Sequence, residues 1–587
     1  MPLLLQQLRQ LMRDNLIDFY WVPGTDRHFN EYVPCCWQRR TFVSGFDGSN
    51  GDLLVGLDGA WLWTDSRYFI QAEKQLSSDI QLMRLGIDQD VFALMAEQVT
   101  PFVIGFDPQL ISIQQREKWQ RFFQHGIGSM RMIDGNLVDP LWKEQPPVPE
   151  SPVVEWSQQY AGMLTEKKLA SVRAELQKRG SDATLLTRLD SIAWLTNCRG
   201  QDLETSPVFI SFLLLTQDNA SLYLRSDRFN GHARHLLNNA GIYIKDESQL
   251  AGDLAAVQGN ISLDPQTTSA WVLDQIEADV SLLPCMIPMM KAVKNSVEQQ
   301  GMRQAHQLDA VAIIKLMYWL ESHWEGLDEV DITDQLEKFR REEPLYQGPS
   351  FPTISAFSDH SAIAHYSPQR VTAKKLSNDN FLLLDMGGQY LSGTTDATRM
   401  FYFGSPSKDQ VKFYTLVLKG HLAIRHAIFP HGTCGEHLDA MARMPLWKEF
   451  AHYGHGTGHG VGCYLDVHEG PHRIAPTYTG VPLLPGMVVS NEPGFYAAGE
   501  YGIRIENLLL VKKIATVENS PTGHGPFYAF EDLTLLPYNQ SLIDTNMLTL
   551  EEVQKINSYH QYVQKTLTPL LSAELCVWLD QATKPLK

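Results

Sequence analysis

The sequence predicts an α/β (α+β) protein with two related N-terminal α/β domains, a third and larger block of mixed structure, and a helical C-terminal extension. Three observations predict this fold. Similar successions of helix and strand flank a proline-rich linker, a long amphipathic helix opens the third block, and short strands punctuated by glycine follow residue 347. For a chain of 587 residues we expect domains at 1–150, 151–290, 291–530 and 531–587.

The two N-terminal domains meet at the linker KEQPPVPESPVVEW, residues 143–156, whose four prolines favour extended backbone. Each side begins with a helical pattern, LLLQQLRQLMRDN before the linker and EKKLASVRAELQKRG after it. An apolar strand follows (IDFYWVP and DATLLTR), and later a pair of strands split by a turn (DLLVGLDGAWLWTDSRYF and FISFLLLTQDNASLYLRSDRF). These parallels predict a duplicated domain rather than a short-period repeat.

The third block begins near Lys291 with a helix signal. Asn295 and Glu298 stand three positions apart, as a helix N-cap and its capping partner do. The apolar face of the expected helix contains Met302, Ala305, Leu308, Ala312, Ile313, Leu316 and Leu320. From Ser541 onward the pattern returns to helix, beginning with MLTLEEVQKINSYHQYVQKTL.

Composition and charge exclude several classes of protein. A formal net charge of −18 and a pI near 5.5 argue against nonspecific binding to nucleic acid or to anionic membranes. The sequence has no apolar run of about 18 residues and no signal-peptide core, so we expect neither a membrane span nor secretion. The seven cysteines form no CxxC pair, which is typical of reduced thiols in a cytoplasmic protein. Nothing near the adjacent Cys35 and Cys36 indicates redox or metal chemistry.

Two aspartates lie in the segment FLLLDMGGQYLSGTTDATRMF. Asp385 ends an apolar run, and Asp396 precedes the next strand after a glycine turn. If these strands form a hairpin, both carboxylates reach one site. Aspartate is disfavoured in strands and costly to bury without a partner, and a bound cation would offset that cost. The alternative for each aspartate is the capping of backbone amides in a turn.

Two glutamates follow further along the chain. Glu492 comes after the apolar strand of VVSNEPGFY, and Glu506 is expected inside the alternating strand YGIRIENLLLV. Arg504 lies two positions before Glu506 and therefore on the same strand face. A surface ion pair between Arg504 and Glu506 is the alternative to a functional role.

Histidines cluster in YGHGTGHGVG, which places His455 and His459 four residues apart among glycines. Glycine allows the backbone to approach a ligand closely, but no GK[ST] follows, so we do not expect a nucleotide-binding loop. LDVHEGPH adds His468 and His472 and literally matches H-E-x-x-H. That motif requires a helix, and the proline inside it costs a helix about 3 kcal/mol, so we interpret the match as fortuitous.

Four carboxylates and one imidazole together form a candidate ligand set: Asp385, Asp396, His459, Glu492 and Glu506. Oxygen and imidazole ligands suit two divalent ions such as Mn²⁺, Co²⁺ or Zn²⁺. Two ions about 3.5–4 Å apart can share bridging carboxylates and lower the pKa of a bound water. The sequence therefore predicts a two-metal hydrolase.

The order of these residues resembles a known family. HGTGHGVG, VHEGP, NEPGFY and GIRIEN look like the pita-bread metallopeptidases, and among them the three-domain Xaa-Pro aminopeptidases of the cytosolic type. SGFDGSNG and WTDSRYFIQAEKQL resemble their first creatinase N-terminal-like domain, and LDSIAWLTNCRG and SPVFISFLLLT resemble the second. GPSFPTIS and AIAHYSP resemble the start of the pita-bread catalytic domain, and DTNMLTLEEVQKINSYH resembles its C-terminal extension, expected to pack on that domain.

The resemblance implies a role for each candidate ligand. Asp385 would bind one ion, and Asp396 and Glu506 would bridge the two. His459 and Glu492 would complete the other ion.

The resemblance also implies a substrate site around the ions. His365, His455 and His468 match three active-site histidines that bind substrate and move protons. Arg67, in TDSRY, matches a first-domain arginine that reaches a substrate site, and Arg504 matches an arginine next to the bridging glutamate. His472 is a departure, because the family pattern does not require it.

The implied reaction is hydrolysis of the bond between an N-terminal residue and a following proline by a metal-bridging hydroxide. Glu492 would accept the proton of the water, and His365 or His468 would stabilise the oxyanion or protonate the leaving nitrogen. The expected cofactors are two Mn²⁺ ions, with Zn²⁺ or Co²⁺ as alternatives. The expected partners are peptides with proline at the second position and a second copy of the chain in a homodimer, with no nucleic acid and no membrane.

Three alternatives remain open at this point. A prolidase would use the same ligands to cut Xaa-Pro dipeptides. A methionine aminopeptidase is less favoured, because it would not need about 290 further N-terminal residues. A metal-free peptide- or protein-binding module of the same fold is the alternative from another class, although such modules typically lose ligands.

Overall fold

A computed structural model describes residues 2–124, 126–514 and 525–587. The chain forms two compact units. The first comprises the residues up to 156 together with 163–287, and the second comprises 157–162 together with the residues from 288 onward. Within the described part of the chain, no helix combines the length and the apolarity needed to cross a bilayer.

The first unit begins with a six-stranded sheet. Its strands are β1 (Phe19–Val22), β2 (Asp52–Gly56), β3 (Ala60–Thr64), β4 (Gln81–Arg84), β5 (Phe102–Phe106) and β6 (Gly128–Met132), in the order β4-β3-β2-β1-β5-β6. The accompanying helices are α1 (Pro2–Asp14), α2 (Arg39–Ser44), α3 (Phe69–Gln75), α4 (Val91–Ala96) and α5 (Ile113–Phe123). Buried side chains cover both faces of the sheet, with Leu8 of α1 on one side and Trp119 of α5 on the other.

The same architecture then repeats. The next strands are β7 (Val154–Glu155), β8 (Ala183–Leu186), β9 (Cys198–Arg199), β10 (Phe212–Thr216), β11 (Ala220–Tyr223), β12 (Ile242–Lys245), β13 (Asn260–Leu263) and β14 (Asp279–Leu282). After α6 (Gln158–Ala161), which belongs to the second unit, the helices are α7 (Thr165–Lys178), α8 (Leu189–Thr196), α9 (Gly231–Asn239), α10 (Leu250–Ala255) and α11 (Ala270–Asp274). The sheet order β12-β11-β10-β8-β13-β14 matches the first sheet strand for strand, and so does its alternation of parallel and antiparallel pairs. The predicted pair of related α/β domains is confirmed.

Helices frame the second unit. They are α12 (Ile287–Ala292), α13 (Ser296–His323), α14 (Glu329–Arg341), α15 (Lys408–Arg425), α16 (Glu436–Trp447), α17 (Leu550–Leu567) and α18 (Ala573–Ala582). The capping box predicted from Asn295 and Glu298 is present: the Asn295 side chain accepts from the backbone N–H of Glu298, and the Glu298 carboxylate accepts from that of Asn295. The predicted tail helix is α17.

Short strands lie between these helices, and the candidate metal ligands are in or next to them. They are β15 (Tyr346–Pro349), β16 (Ile354–Phe357), β17 (Asn380–Met386), β18 (Gly388–Tyr390), β19 (Gly393–Thr394), β20 (Ala397–Phe403), β21 (Phe429–Pro430), β22 (Gly458–Gly460), β23 (Glu469–Ile474), β24 (Val488–Asn491), β25 (Gly494–Ala497), β26 (Tyr501–Arg504), β27 (Asn507–Lys513) and β28 (Phe527–Asp532). They form sheets of order β15-β18-β19, β16-β17-β20, β21-β28-β27-β24-β22-β23 and β25-β26.

Candidate metal centre

The two aspartates lie at the same end of two neighbouring antiparallel strands, as the predicted hairpin requires. Asp385 is near the end of β17 and pairs in register with Thr398 of β20. Asp396 stands immediately before β20, and both aspartates are buried. The two short strands β18 and β19 occupy the connection between them. The turn-capping alternative does not account for Asp385, which lies inside a strand.

A buried ion pair binds the part of the chain that connects Asp385 with Asp396. Arg340 of α14 binds Asp309 of α13 through two hydrogen bonds of 2.8 and 3.2 Å. The same guanidinium donates to the carbonyl of Gly387, two residues after Asp385. The hydroxyl of Thr395, next to Asp396, donates to Oδ2 of Asp309 at 2.6 Å. One ion pair therefore fixes the backbone beside each aspartate.

His459 lies in β22 with a defined orientation. Its Nδ1 donates to the carbonyl of Gly460 at 2.9 Å, which leaves Nε2 free of its proton in the neutral ring. Nε2 lies 3.3 Å from Oε1 of Glu492 and 3.6 Å from Oδ2 of Asp396. Ser490 links the neighbouring residues, because its hydroxyl accepts from the backbone N–H of His459 and donates to Oε1 of Glu492.

Glu506 corrects a detail of the sequence prediction. It was expected inside a strand, but it lies in the break between β26, which ends at Arg504, and β27, which begins at Asn507. The chain changes sheets here, because β26 pairs with β25 whereas β27 pairs with β24 and β28. The break leaves the Glu506 carboxylate buried, where Oε2 accepts from the hydroxyl of Thr398 at 2.9 Å.

Arg504 is buried and holds Asp385. Its Nη2 donates to Oδ2 of Asp385 at 2.6 Å, and its Nη1 donates to the hydroxyl of Tyr496 at 2.7 Å. Its Nε lies 3.3 Å from the hydroxyl of Thr398, which binds Glu506. The alternative of a surface pair between Arg504 and Glu506 is wrong.

The electrostatics of the cluster favour bound cations. Burial first, and then the negative charges of neighbouring carboxylates, raise the pKa of Asp396 and of Glu506 well above their ordinary values. Burial likewise raises the pKa of Glu492 to about 7, against the lowering effect of Arg504. Carboxylates crowded in this way cannot all ionise unless positive charge joins them.

The donor atoms also suit divalent ions. One ligand atom each from Asp396, His459 and Glu506 lies within 4.8 Å of the others. Oδ1 of Asp385 is buried and has no hydrogen-bond partner among the described residues. A buried carboxylate oxygen without a partner in the protein is costly unless an ion or a water binds it. Carboxylate and imidazole ligands fit Mn²⁺, Zn²⁺ or Co²⁺, so the residues present fit a metal pair.

Comparison with known proteins agrees with this chemistry. The model of metallopeptidase family M24 matches residues 300–513, and the model of its C-terminal region matches 526–586. Two models of the creatinase/prolidase N-terminal domain match 5–133 and 144–298. The chain is 40% identical to a probable Xaa-Pro aminopeptidase P of Sordaria macrospora, over 99% of this chain and 98% of that protein. It is 37% identical to aminopeptidase P1 of Lotus japonicus, over 99% of each. The chain belongs to metallopeptidase family M24.

Two solved structures share this fold. The crystal structure of X-prolyl aminopeptidase from Caenorhabditis elegans, described as a cytosolic enzyme with a di-nuclear active site, superposes with a TM-score of 0.94. The two chains are 33% identical, and the match covers 100% of this chain and 99% of that one. An Xaa-Pro dipeptidase from Bacillus anthracis shares the fold at 23% identity and a TM-score of 0.52, covering 64% of this chain and 99% of its own.

Two of the three predicted non-ligand histidines contact residues of this M24 centre. His455 donates from Nδ1 to the carbonyl of Gly456, so its Nε2 accepts from the hydroxyl of Tyr496, which itself accepts from Arg504. The ring of His468 packs edge-on against that of His459, with centroids 4.3 Å apart. His365 lies half-buried in the segment that leads from β16 to β17.

Arg67 lies in the first unit, in the turn between β3 and α3. It binds the Asp65 carboxylate through Nε and Nη2 at 2.9 and 2.7 Å, and its side chain is 23% exposed. The role that the family resemblance implies for Arg67 remains a prediction.

The H-E-x-x-H match does not form a zincin site. Glu469 and His472 both lie in strand β23, whereas that motif needs a helix. His472 is buried and donates from Nε2 to the carbonyl of Val488 at 2.8 Å. Glu469 is buried between the ammonium groups of Lys291 and Lys294.

Sequence reasoning missed several residues that support the site. Tyr496, Thr398 and the Asp309–Arg340 pair bind predicted site residues or the backbone beside them. Tyr496 was visible only as part of NEPGFY, and no spacing rule connects Asp309 with Arg340. Their partners lie between 8 and 108 positions away along the chain, a separation that periodicity does not report.

Proposed function

We propose that this M24 peptidase removes the N-terminal residue from peptides whose second residue is proline. The observation that carries the proposal is the convergence of Asp396, His459 and Glu506, with the partnerless oxygen of Asp385 beside them. The relatives named Xaa-Pro aminopeptidase support the proline preference.

Five residues would hold two divalent ions. We assign Asp385 to one ion, His459 and Glu492 to the other, and Asp396 and Glu506 to both. When bound, such ions would lower the pKa of a water and polarise the scissile carbonyl. Manganese is the metal that the family resemblance favours, with zinc and cobalt as alternatives, since the ligand chemistry suits all three.

The residues of the chain would then orient the substrate and move protons. Glu492, whose carboxylate lies 3.3 Å from Nε2 of His459, would accept the proton of the attacking water. The ring of His468 lies against that of His459, close enough for His468 to donate to an oxyanion formed there. The bonds from Arg504 through Tyr496 to Nε2 of His455 fix the tautomer of His455. His365 is the other candidate, beside His468, for protonating the leaving nitrogen.

A proline at the second position explains why a dedicated enzyme is useful. The Xaa-Pro bond has no N–H, so a peptidase that binds an extended, hydrogen-bonded substrate cannot hold it in the usual way. The cis form of the bond is well populated in flexible peptides and exchanges slowly. We expect the enzyme to cut only the trans form.

The proposal also covers the domain boundaries, the oligomeric state and the location of the protein in the cell. We propose domains at 1–150, 151–290, 291–530 and 531–587, supported by the four family-model matches. A homodimer rests on the family resemblance alone, and light scattering would test it. A cytoplasmic location is supported by the seven free cysteines and by the cytosolic description of the nematode relative.

A substrate panel tests the function directly. The purified protein with added Mn²⁺ should release arginine from Arg-Pro-Pro and leave Arg-Ala-Pro intact, as followed by mass spectrometry. Cleavage of Ala-Pro with no action on Arg-Pro-Pro would indicate a prolidase instead. Failure to cleave any of these peptides, together with no bound metal, would indicate a metal-free binding module.

A further inference from the structure

The carboxylate of Glu329 is buried at the start of α14 and has four partners in one segment. We call residues 357–374, between β16 and β17, the His365 segment. Oε1 of Glu329 accepts from the backbone N–H of Phe357 at 2.7 Å, and Oε2 accepts from that of Lys374 at 2.9 Å. One side chain therefore binds both ends of the segment.

The other two partners lie inside the segment, on either side of His365 along the chain. Nδ1 of His360 donates to the Glu329 carboxylate at 2.9 Å, and the hydroxyl of Tyr366 donates to it at 2.8 Å. The rings of His360 and Tyr366 stack with centroids 4.4 Å apart. Tyr366 is the direct neighbour of His365, so the Glu329 carboxylate constrains the backbone that carries the His365 ring.

A second contact joins the same segment to strand β26, which ends in Arg504. The hydroxyl of Ser361 accepts from the backbone N–H of Gly502 in β26, two residues before Arg504. A Cβ atom at Gly502 would stand 1.9 Å from the carbonyl oxygen of Ser361, so only glycine fits there. The segment is thus fixed on one side by Glu329 and on the other by the strand that ends in Arg504.

We infer that Glu329 is a positioning residue for the reaction, acting through His365. The inference rests on the proposed function, in which His365 contacts substrate. A purely structural role for Glu329, as one more buried carboxylate that stabilises the second unit, is the competing explanation.

The chemistry of the four partners requires a carboxylate. Every group that meets the two oxygens is a donor, namely two backbone N–H groups, a phenol and an imidazole N–H. A glutamine has the same size, but its NH₂ would face an N–H donor whichever way the amide is turned. Glu329→Gln should therefore loosen the segment while changing the volume of the buried site very little.

The experiment is a double-mutant cycle between Glu329 and His365. Glu329→Gln, His365→Asn and the double variant are compared for kcat and KM on Arg-Pro-Pro, for Mn²⁺ content and affinity, and for Tm. Glu325→Gln is the matched control, because Glu325 is exposed just before the same helix. Tyr366→Phe removes one donor only and serves as a milder second variant if Glu329→Gln does not fold.

We expect the effects of Glu329→Gln and His365→Asn on kcat to be coupled, with no loss of bound metal. Glu329→Gln should lower kcat about a hundredfold, as expected when a catalytic group is displaced by about 1 Å, and should leave Mn²⁺ affinity unchanged. The double variant should be no slower than His365→Asn, and Tyr366→Phe should show a smaller loss of the same kind.

Other outcomes would overturn the inference. Additive losses in the double variant, or loss of Mn²⁺ together with activity, would give Glu329 a purely structural role. A fully active His365→Asn would remove both the role of His365 and this inference, while cleavage of Arg-Pro-Pro by the unmodified protein would leave the peptidase assignment standing. Failure of the unmodified protein to cleave Arg-Pro-Pro would refute the proposed function itself.

Discussion

The guanidinium of Arg504 binds one oxygen of Asp385 at 2.6 Å, while the other oxygen of Asp385 is buried and has no partner among the described residues. Asp385 thus has one oxygen oriented by the protein and one available to an ion. The same guanidinium binds Tyr496, so a single side chain connects the metal ligand to the His455 side of the site.

Replacing Arg504 by lysine should disrupt this arrangement. A lysine ammonium cannot reproduce the planar fork that binds Asp385 and Tyr496 together. We expect Arg504→Lys to reduce metal affinity or kcat about 10- to 100-fold, the usual effect of removing a group that orients a metal ligand. Calorimetric titration with Mn²⁺ and steady-state kinetics measure the two quantities. Unchanged metal affinity and kcat would show that Arg504 does not orient Asp385 for metal binding.

Asp396→Asn should abolish activity and weaken metal loading while the protein stays folded. Asp396 has a ligand atom within 4.8 Å of those of His459 and Glu506, and the neutral amide would offer weaker ligation. Metal content by mass spectrometry and turnover of Arg-Pro-Pro provide the measurements. Asp409→Asn, at an exposed position in the first turn of α15, is the matched control. Full turnover by a metal-poor Asp396→Asn protein would refute the two-metal assignment.

The metal-free protein should lose stability as the pH rises. Burial raises the pKa of Glu492 from its ordinary 4.5 to about 7 in the folded protein. A raised carboxyl pKa means that the folded state binds the proton more tightly than the unfolded state. Its stabilising contribution is therefore complete below 4.5 and is lost as the pH rises through about 7.

Thermal unfolding of EDTA-treated protein at several pH values tests this expectation. Tm should fall between about pH 5 and about pH 8, and Glu492→Gln should reduce that fall. Metal affinity should change in the opposite direction, rising over the same range, because the ions displace these protons. A Tm that rises with pH in the metal-free protein would contradict the assigned direction.

Arg67→Ala should raise KM mainly for peptides longer than dipeptides. The prediction follows from the family resemblance, which assigns Arg67 to a substrate site beyond the reacting residues. Kinetics on Arg-Pro-Pro and on longer peptides would be compared with those on Ala-Pro. Arg84→Ala, which removes another half-exposed arginine of the first unit, controls for general effects. KM values unchanged across substrate lengths would remove the proposed role of Arg67.

Glu469→Gln should destabilise the protein far more than a surface change of the same kind. Glu469 lies between two buried lysines, so its neutralisation would remove the negative charge that pairs with both ammonium groups. Breaking a buried ion pair typically costs about 3–5 kcal/mol, whereas an exposed pair contributes about 0–1 kcal/mol. Denaturant unfolding of Glu469→Gln and of Glu551→Gln, which removes an exposed pair with Lys555, measures both. Equal effects would show that the lysines are compensated in another way.

Local signals in the sequence predicted much of the fold and the core of the site. The apolar run before Asp385 and the one before Glu492 each form a strand, because hydrophobic runs bounded by turns report local structure well. The cap at Asn295 was equally visible, since both of its partners lie within one turn of helix.

Interactions between distant parts of the chain were not predictable in this way. Glu506 was expected inside a strand because the alternation of YGIRIENLLLV continues through it, whereas the chain changes sheets there. That change depends on pairing with β24 and β25, which periodicity in one segment does not report. Glu329 and Asp309 look like ordinary helix residues in the sequence, and their importance depends on partners 28 to 86 positions away.

We propose that the peptidase activity of this chain depends on two bound ions. The most direct measurement removes metal with EDTA, returns Mn²⁺ in steps, and follows bound metal per chain and release of arginine from Arg-Pro-Pro in the same samples. We predict no activity without metal and recovery that reaches its maximum at two ions per chain. Full activity in the metal-free protein would contradict this proposal.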